Sequence, residues 1–210
     1  MPIMPGCMRG APVNDCWPLV AEIMQSDKDV PARFGRSALD LKQSETLATL
    51  AARCDEVYTR GALVLLCGPA GTGKSFAAYA LACLGYLRHS EGFKGYQAGN
   101  LFRMAWQDET KAAYNDAWTR YGTMILDDLG TEAENKTESL DANLYAGLNH
   151  RYAGAMPTVI TTNYKPDELL GLYPSFTKRL QSRFREWAII VEVRGKDMRK
   201  VESGESQRGE

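Results

Sequence analysis

The chain has 210 residues, 44% of them apolar and 24% charged, with a net charge of −1 and a pI near 6.2. Those values fit one ordinary globular domain with enough material for a core, and they exclude a global basic field for gathering nucleic acid. No apolar run reaches the ~18–20 residues that span a bilayer, and Pro2, Pro5 and Pro12 interrupt any secretory helix, so a cytoplasmic protein with no membrane partner is expected.

Five cysteines (Cys7, Cys16, Cys54, Cys67, Cys83) form no C-x-x-C pair, and only His89 and His150 could join them as ligands. That spacing matches no zinc site, and an odd count argues against a disulfide framework, which leaves reduced thiols.

Residues 1–34 hold five of the nine prolines and read as an extended arm broken by one short helix. Asn14 or Asp15 is the expected cap, Pro18 falls in the first turn, and Leu19, Val20, Ile23 and Met24 share one face. That stripe packs on the domain itself or docks a partner protein. The body of the domain is expected over 35–200. Leu47, Leu50, Ala51, Cys54 and Val57 recur at helical spacing over 44–58, and Gly61 stops that helix before a strand at 62–67.

Next comes Gly68-Pro69-Ala70-Gly71-Thr72-Gly73-Lys74-Ser75, which fits G-x-x-x-x-G-K-[ST] in full. Glycines let the backbone curl so that successive N–H groups meet phosphate oxygens, and the helix that follows lays its positive end on the same anion. Lys74 reaches the β- and γ-phosphates and the Ser75 hydroxyl is a ligand for Mg²⁺. The bland alternative is a glycine-rich turn between a strand and a helix.

Beyond that helix, a turn at 92–95 leads to a short strand near 95–98. Asn100 is the expected cap of a helix carrying Leu101, Phe102, Met104, Ala105 and Trp106, and a more polar helix follows over 109–120. Residues 123–130 form an apolar strand ending in Asp127 and Asp128. A helix over 139–153 carries Leu140, Leu144, Leu148 and Tyr152, and a β-branched strand at 158–163 ends in Asn163. The last strand falls at 188–193, and the polar tail at 201–210 reads as disordered. Apolar strands alternating with helices predict an α/β fold, a parallel sheet covered on both faces.

Ligands of such sheets sit at the carboxyl ends of the strands. Asp127 stands where a carboxylate would hold Mg²⁺ through water, and Asp128 where one would orient or deprotonate the attacking water. Asn163 offers an amide to that water and to the γ-phosphate. Arg179 and Arg183 lie four apart, on one face of a helix whose neighbouring face carries Leu180 and Phe184.

With these residues the chain resembles an AAA+ ATPase of the initiator and helicase-loader branch: the DnaC/DnaI-type replicative-helicase loaders and the related IstB-type transposition helpers. The resemblance covers about residues 30–200. Residues 68–75 resemble the family's Walker A, 124–130 its Walker B, 159–163 its sensor 1 and 179–184 the box that carries the arginine finger. It implies a three-layer P-loop NTPase with a five-stranded parallel sheet and a helical lid reduced or absent. The nucleotide-contacting set implied is Gly68, Pro69, Ala70, Gly71, Thr72, Gly73, Lys74, Ser75 and Phe76, with Arg199 in a sensor-2-like place. Ser75 and Asp127 would hold Mg²⁺, and Lys74, Asp127, Asp128, Asn163 and Arg183 would serve hydrolysis of ATP. Val30-Pro31-Ala32-Arg33-Phe34 resembles the loader segment that runs beside the adenine.

The same resemblance implies a homo-oligomer with ATP at subunit interfaces, Arg183 reaching the next subunit's site, with a replicative DNA helicase and single-stranded DNA as partners. Loaders hold single strands with the helices before Walker B, where this chain has Arg103, Lys111 and Arg120 beside Trp106, Tyr114, Trp118 and Tyr121; for any one of them the alternative is an aromatic in the core or a charge in water. Departures are Asp128 where many AAA+ proteins carry Glu, Asp197 and Met198 beside Arg199, and thirty-odd N-terminal residues with no metal-ligand pattern. Alternatives are a transposase-targeting ATPase, a small-molecule phosphotransferase, and a module that holds ATP without hydrolysing it.

Overall fold

A computed structural model describes residues 3–37, 44–119, 122–131, 138–174 and 184–195. Five parallel strands form its centre: β1 (Leu63–Cys67), β2 (Phe93–Gln97), β3 (Thr123–Leu129), β4 (Thr158–Thr162) and β5 (Ala188–Glu192), in the order β2-β3-β4-β1-β5. β1 is buried along its whole length. Its alternate side chains feed two cores: Val64 and Leu66 one face, Leu63 and Leu65 the other. That two-sided burial is why the inner strands β3, β4 and β1 are runs of buried residues and not alternating ones.

One face is covered by α1 (Val13–Ser26), α3 (Glu45–Ala52), α4 (Cys54–Arg60) and α5 (Lys74–His89), with the short α2 (Ala32–Ser37) packed on α1. The other carries α6 (Ala98–Met104), α7 (Asp108–Thr119), α8 (Glu138–Ala153) and α9 (Pro166–Leu172). The sheet and its two helical layers are those expected of a P-loop NTPase. The expectation of a reduced lid concerns residues after Gly195, which lie outside the described residues, as does the tail at 201–210.

Several boundaries differ from the sequence reading. α1 begins at Val13 with Pro12, not Asn14 or Asp15, in the N-cap place. Pro18 therefore falls beyond the first turn, where it has no N–H for the Asn14 carbonyl. The buried stripe of α1 includes Cys16 and Trp17 besides Val20, Ile23 and Met24, and it packs against α5 within the chain. Residues ahead of it form turns that cap the far end of α5, Gly6 N–H donating to Tyr86 O (2.9 Å) and Met8 N–H to Leu87 O (3.0 Å).

The helix expected over 44–58 is two, broken at Arg53, whose φ of −105° and ψ of 3° leave the helical region. β2 starts at Phe93, inside the turn expected at 92–95. Gly95 is a strand residue there, and a Cβ on it would meet the Tyr79 hydroxyl at 1.9 Å. Its glycine marks a close approach. Gln97 occupies the N-cap place of α6 without a side-chain capping bond, so Asn100 falls inside the helix, beside Arg103.

The two ends of the sheet are held differently. At the amino ends of β3 and β4, Arg151 of α8 is fully buried and donates to the carbonyls of Gly122 (2.8 Å), Pro157 (2.7 Å) and Trp118 (3.2 Å) and to the Thr158 hydroxyl (2.7 Å). The carboxyl ends carry the chemistry-bearing side chains.

Candidate active site

The loop after β1 is pinned on both sides. Gly68 N–H donates to Thr162 O (3.3 Å), and Val193 N–H donates to Cys67 O (2.7 Å). A Cβ at Gly68 would lie 2.2 Å from Val193 O, so only glycine fits that approach. Gly71 and Gly73 have φ of 79° and 90°, the left-handed conformation from which anion-binding nests are built. Gly73 caps α5, a 16-residue helix with no acidic side chain in its first turn to compete for its positive end.

Lys74 opens that helix and is 5% exposed. Its ammonium donates to Gly68 O (2.8 Å), Pro69 O (2.7 Å) and Asn163 Oδ1 (2.9 Å). The Thr72 hydroxyl donates to Pro69 O (2.9 Å), tying the loop to itself. Ser75 and Phe76 occupy the same first turn of α5, both half-buried. Phe34 of α2 meets Phe76 edge-on at 6.1 Å and lies 5.5 Å from the Tyr79 ring, so the lead-in segment sits beside the phosphate loop's helix.

β3 supplies the carboxylates through an irregularity. Leu126 pairs with Ile160 and Leu129 with Thr162, so Asp127 and Asp128 together oppose the single Thr161. Such a bulge re-aims side chains beside a site. Asp128 takes the strain, with a φ of 57°, unusual for a residue with a side chain. Thr161 fills the gap. Its hydroxyl donates to Asp127 Oδ1 (2.7 Å) and accepts from Asp128 N–H (2.9 Å). Asp127 is 4% exposed and Asp128 half-buried. Thr162 braces the next position, its hydroxyl donating to Leu129 O (2.7 Å).

These residues fit the expected ligand. The loop has a glycine where any side chain would collide and left-handed glycines where N–H groups must turn inward. A buried carboxylate braced by a hydroxyl, taken with the Ser75 hydroxyl, offers oxygen donors of the kind a hard divalent cation binds. Ser75 and Asp127 would hold Mg²⁺, which supplies charge to the phosphate oxygens when bound.

The structure thus gathers Gly68 to Phe76, Asp127, Asp128 and Asn163 at the carboxyl ends of β1, β3 and β4. Arg179, Arg183 and Arg199 lie outside the described residues, as do Arg120 and Tyr121. The aromatic set before β3 divides. Tyr114 and Trp118 are 7% and 3% exposed and pack edge-on at 6.2 Å, so they belong to the core and offer no stacking face. Trp106 is 54% exposed, with Arg103 and Lys111 also exposed. Thr161 is the residue that sequence reasoning missed. Its signal was a hydroxyl two positions before Asn163, meaningful only once the β3–β4 register is known.

A family model described as IstB-like ATP binding protein matches residues 27–206. No curated protein matches the chain significantly. Among solved structures, the DnaC helicase loader is 16% identical over 72% of this chain and 92% of its own, with a TM-score of 0.57. DnaI is 20% identical over 85% of this chain and 92% of its own, TM-score 0.56. The replication initiator DnaA, bound to AMPPCP and single-stranded DNA, is 18% identical over 73% of this chain, TM-score 0.57, and this chain spans 47% of its length. At these identities the likeness is one of fold, that of the AAA+ P-loop ATPases.

Proposed function

Since the chain belongs to the IstB-like ATP binding protein family, we propose that it is an ATP-hydrolysing switch that works as an oligomer on single-stranded DNA and helps place a replicative helicase there. The observation that carries the hydrolytic part is the meeting of Lys74 and Asn163, 89 residues apart in sequence, at 2.9 Å beside the Asp127–Thr161–Asp128 bulge. Lys74 grips the phosphates as a compact positive charge, and the Asn163 amide reads the terminal phosphate from the neighbouring strand. Asp128 orients the attacking water or accepts its proton. Arg183 of a second copy completes the site, and Arg199 contacts the nucleotide from its own chain.

The partner assignment is supported by the shared fold of the DnaC helicase loader and DnaI and by the DNA-bound state of DnaA. Trp106, exposed between Arg103 and Lys111, is the stacking surface for single-stranded DNA. A second reading, a helper that brings a transposase to DNA, is favoured by the family match itself.

The test is to immobilise the tagged chain with ATP and Mg²⁺, offer a replicative helicase and a transposase separately, and follow phosphate release with and without single-stranded DNA. Helicase retention and DNA-stimulated release are expected. Retention of the transposase alone would transfer the partner, and no phosphate release under any condition would reduce the protein to a nucleotide-holding module.

A further inference from the structure

We propose that Thr161 is a positioning residue for the hydrolytic site, setting the Mg²⁺ carboxylate and the water-orienting carboxylate through one hydroxyl; this rests on the nucleotide reading above. A hydroxyl has one proton to give and lone pairs to accept with. Thr161 gives its proton to Asp127 Oδ1 at 2.7 Å and accepts the Asp128 N–H at 2.9 Å, with no exposed surface of its own. Both partners use it. At the bulge two residues of β3 face one of β4, and the Asp128 N–H there donates to the Thr161 hydroxyl. Taking an acceptor from a backbone N–H costs free energy, so the hydroxyl helps hold the bulged backbone.

Because the Thr161 hydroxyl donates to Asp127 Oδ1, that carboxylate is held in one orientation. Groups that orient a ligand carboxylate in this way change metal affinity or activity ~10–100-fold when removed. Thr161 also holds Asp128 in its left-handed backbone conformation, φ 57°, and so fixes where the second carboxylate starts. One side chain on β4 therefore couples two acids on β3 whose side chains an unbroken strand would send to opposite faces.

Thr161→Val keeps the branched shape and removes the hydroxyl, whereas Thr161→Ser keeps the hydroxyl and removes a methyl. Binding of a fluorescent ATP analogue is titrated against Mg²⁺, alongside single-turnover hydrolysis and the melting temperature. For T161V the Mg²⁺ concentration at half-effect is expected to rise about 10-fold or more and turnover to fall ~10–100-fold, with Mg²⁺-free analogue binding within about 2-fold of wild type. T161S is expected to restore the Mg²⁺ dependence. Should the valine chain not fold, Thr161→Cys keeps the volume with a feeble donor and is expected to show the same displaced Mg²⁺ curve. A T161V or T161C chain with the wild-type Mg²⁺ curve and turnover would overturn the proposal alone, as would T161S behaving like T161V. Wild-type protein that gains no nucleotide affinity from Mg²⁺ would overturn the underlying site reading together with it.

Discussion

Lys74 Nζ and Asn163 Oδ1 are 2.9 Å apart, joining the first turn of the phosphate-loop helix to the end of the adjacent strand. The hydrogen bond brings a cation and an amide together at the carboxyl ends of β1 and β4. Their roles separate by mutation. Lys74→Ala is expected to cut ATP affinity about 100-fold or more, because a charge-assisted phosphate contact is lost from every bound state. Asn163→Ala is expected to leave affinity within a few-fold and to slow turnover about 100-fold, the signature of a contact strengthened in the transition state. Equilibrium analogue binding and steady-state kcat and KM distinguish the two.

Trans action of Arg183 is testable by mixing. A Lys74→Ala chain lacks the grip on ATP but keeps the finger, and an Arg183→Ala chain has the reverse defect. Arginines that act across an interface raise turnover ~10³–10⁵-fold. Phosphate release by the mixture is expected to exceed the sum of the two variants measured separately. Release equal to that sum would confine each active site to one chain.

Arg151 gives a prediction about stability. Its guanidinium is buried, its pKa pulled down to about 10 by desolvation, and it serves three carbonyls and a hydroxyl at the amino ends of β3 and β4. Arg151→Met keeps much of the volume and deprives those carbonyls of their donor. A loss of about 3 kcal/mol or more is expected in urea unfolding, with nucleotide affinity of the folded protein unchanged.

The opposite end of α5 predicts a pH dependence. Asp55 is held below its ordinary 3.8 first by hydrogen bonds from Arg88 (Nη2 at 2.8 Å, Nε at 3.1 Å) and then by His89 at 2.8 Å. Cys54 Sγ shares this cluster, within 4.8 Å of the other two groups, but Arg88 already neutralises the carboxylate and burial pushes the thiol up to about 12. A depressed carboxyl contributes stability that is complete above pH 3.8 and disappears as pH falls through the folded value. Asp55→Asn is therefore expected to cost about 1 kcal/mol at pH 7, discounted for the carboxylate's exposure, and to match wild type at the acid end of a denaturation series.

Much of this arrangement was legible in the chain because it depends on local rules. The 68–75 loop announces itself by glycines whose backbone needs no neighbour to be understood, and the apolar runs of β1, β3 and β4 announce a sheet buried on both faces. What could not be read depends on partners distant in sequence. Gly95 looked like a turn because Tyr79, the residue it makes room for, lies on another element. Stacking platform and core residue were equally open for Tyr114 and Trp118 until α8 was laid against them, with Gly147 leaving room for the indole. Arg151 carries no signal in the sequence because its acceptors come from two distant stretches, Trp118 and Gly122 before β3 and Pro157 and Thr158 at the start of β4. The β3 bulge is a matter of register, and register is invisible until two strands are paired.

The claim that these residues form one Mg²⁺-ATP hydrolysis site is tested most directly by single-turnover hydrolysis in wild type and Asp127→Asn, with analogue binding measured on the same preparations. Mg²⁺-dependent phosphate release is expected from wild type and release at background from the variant, while both still bind the analogue. Wild-type release rates in Asp127→Asn, or a wild-type chain that binds no nucleotide, would contradict it.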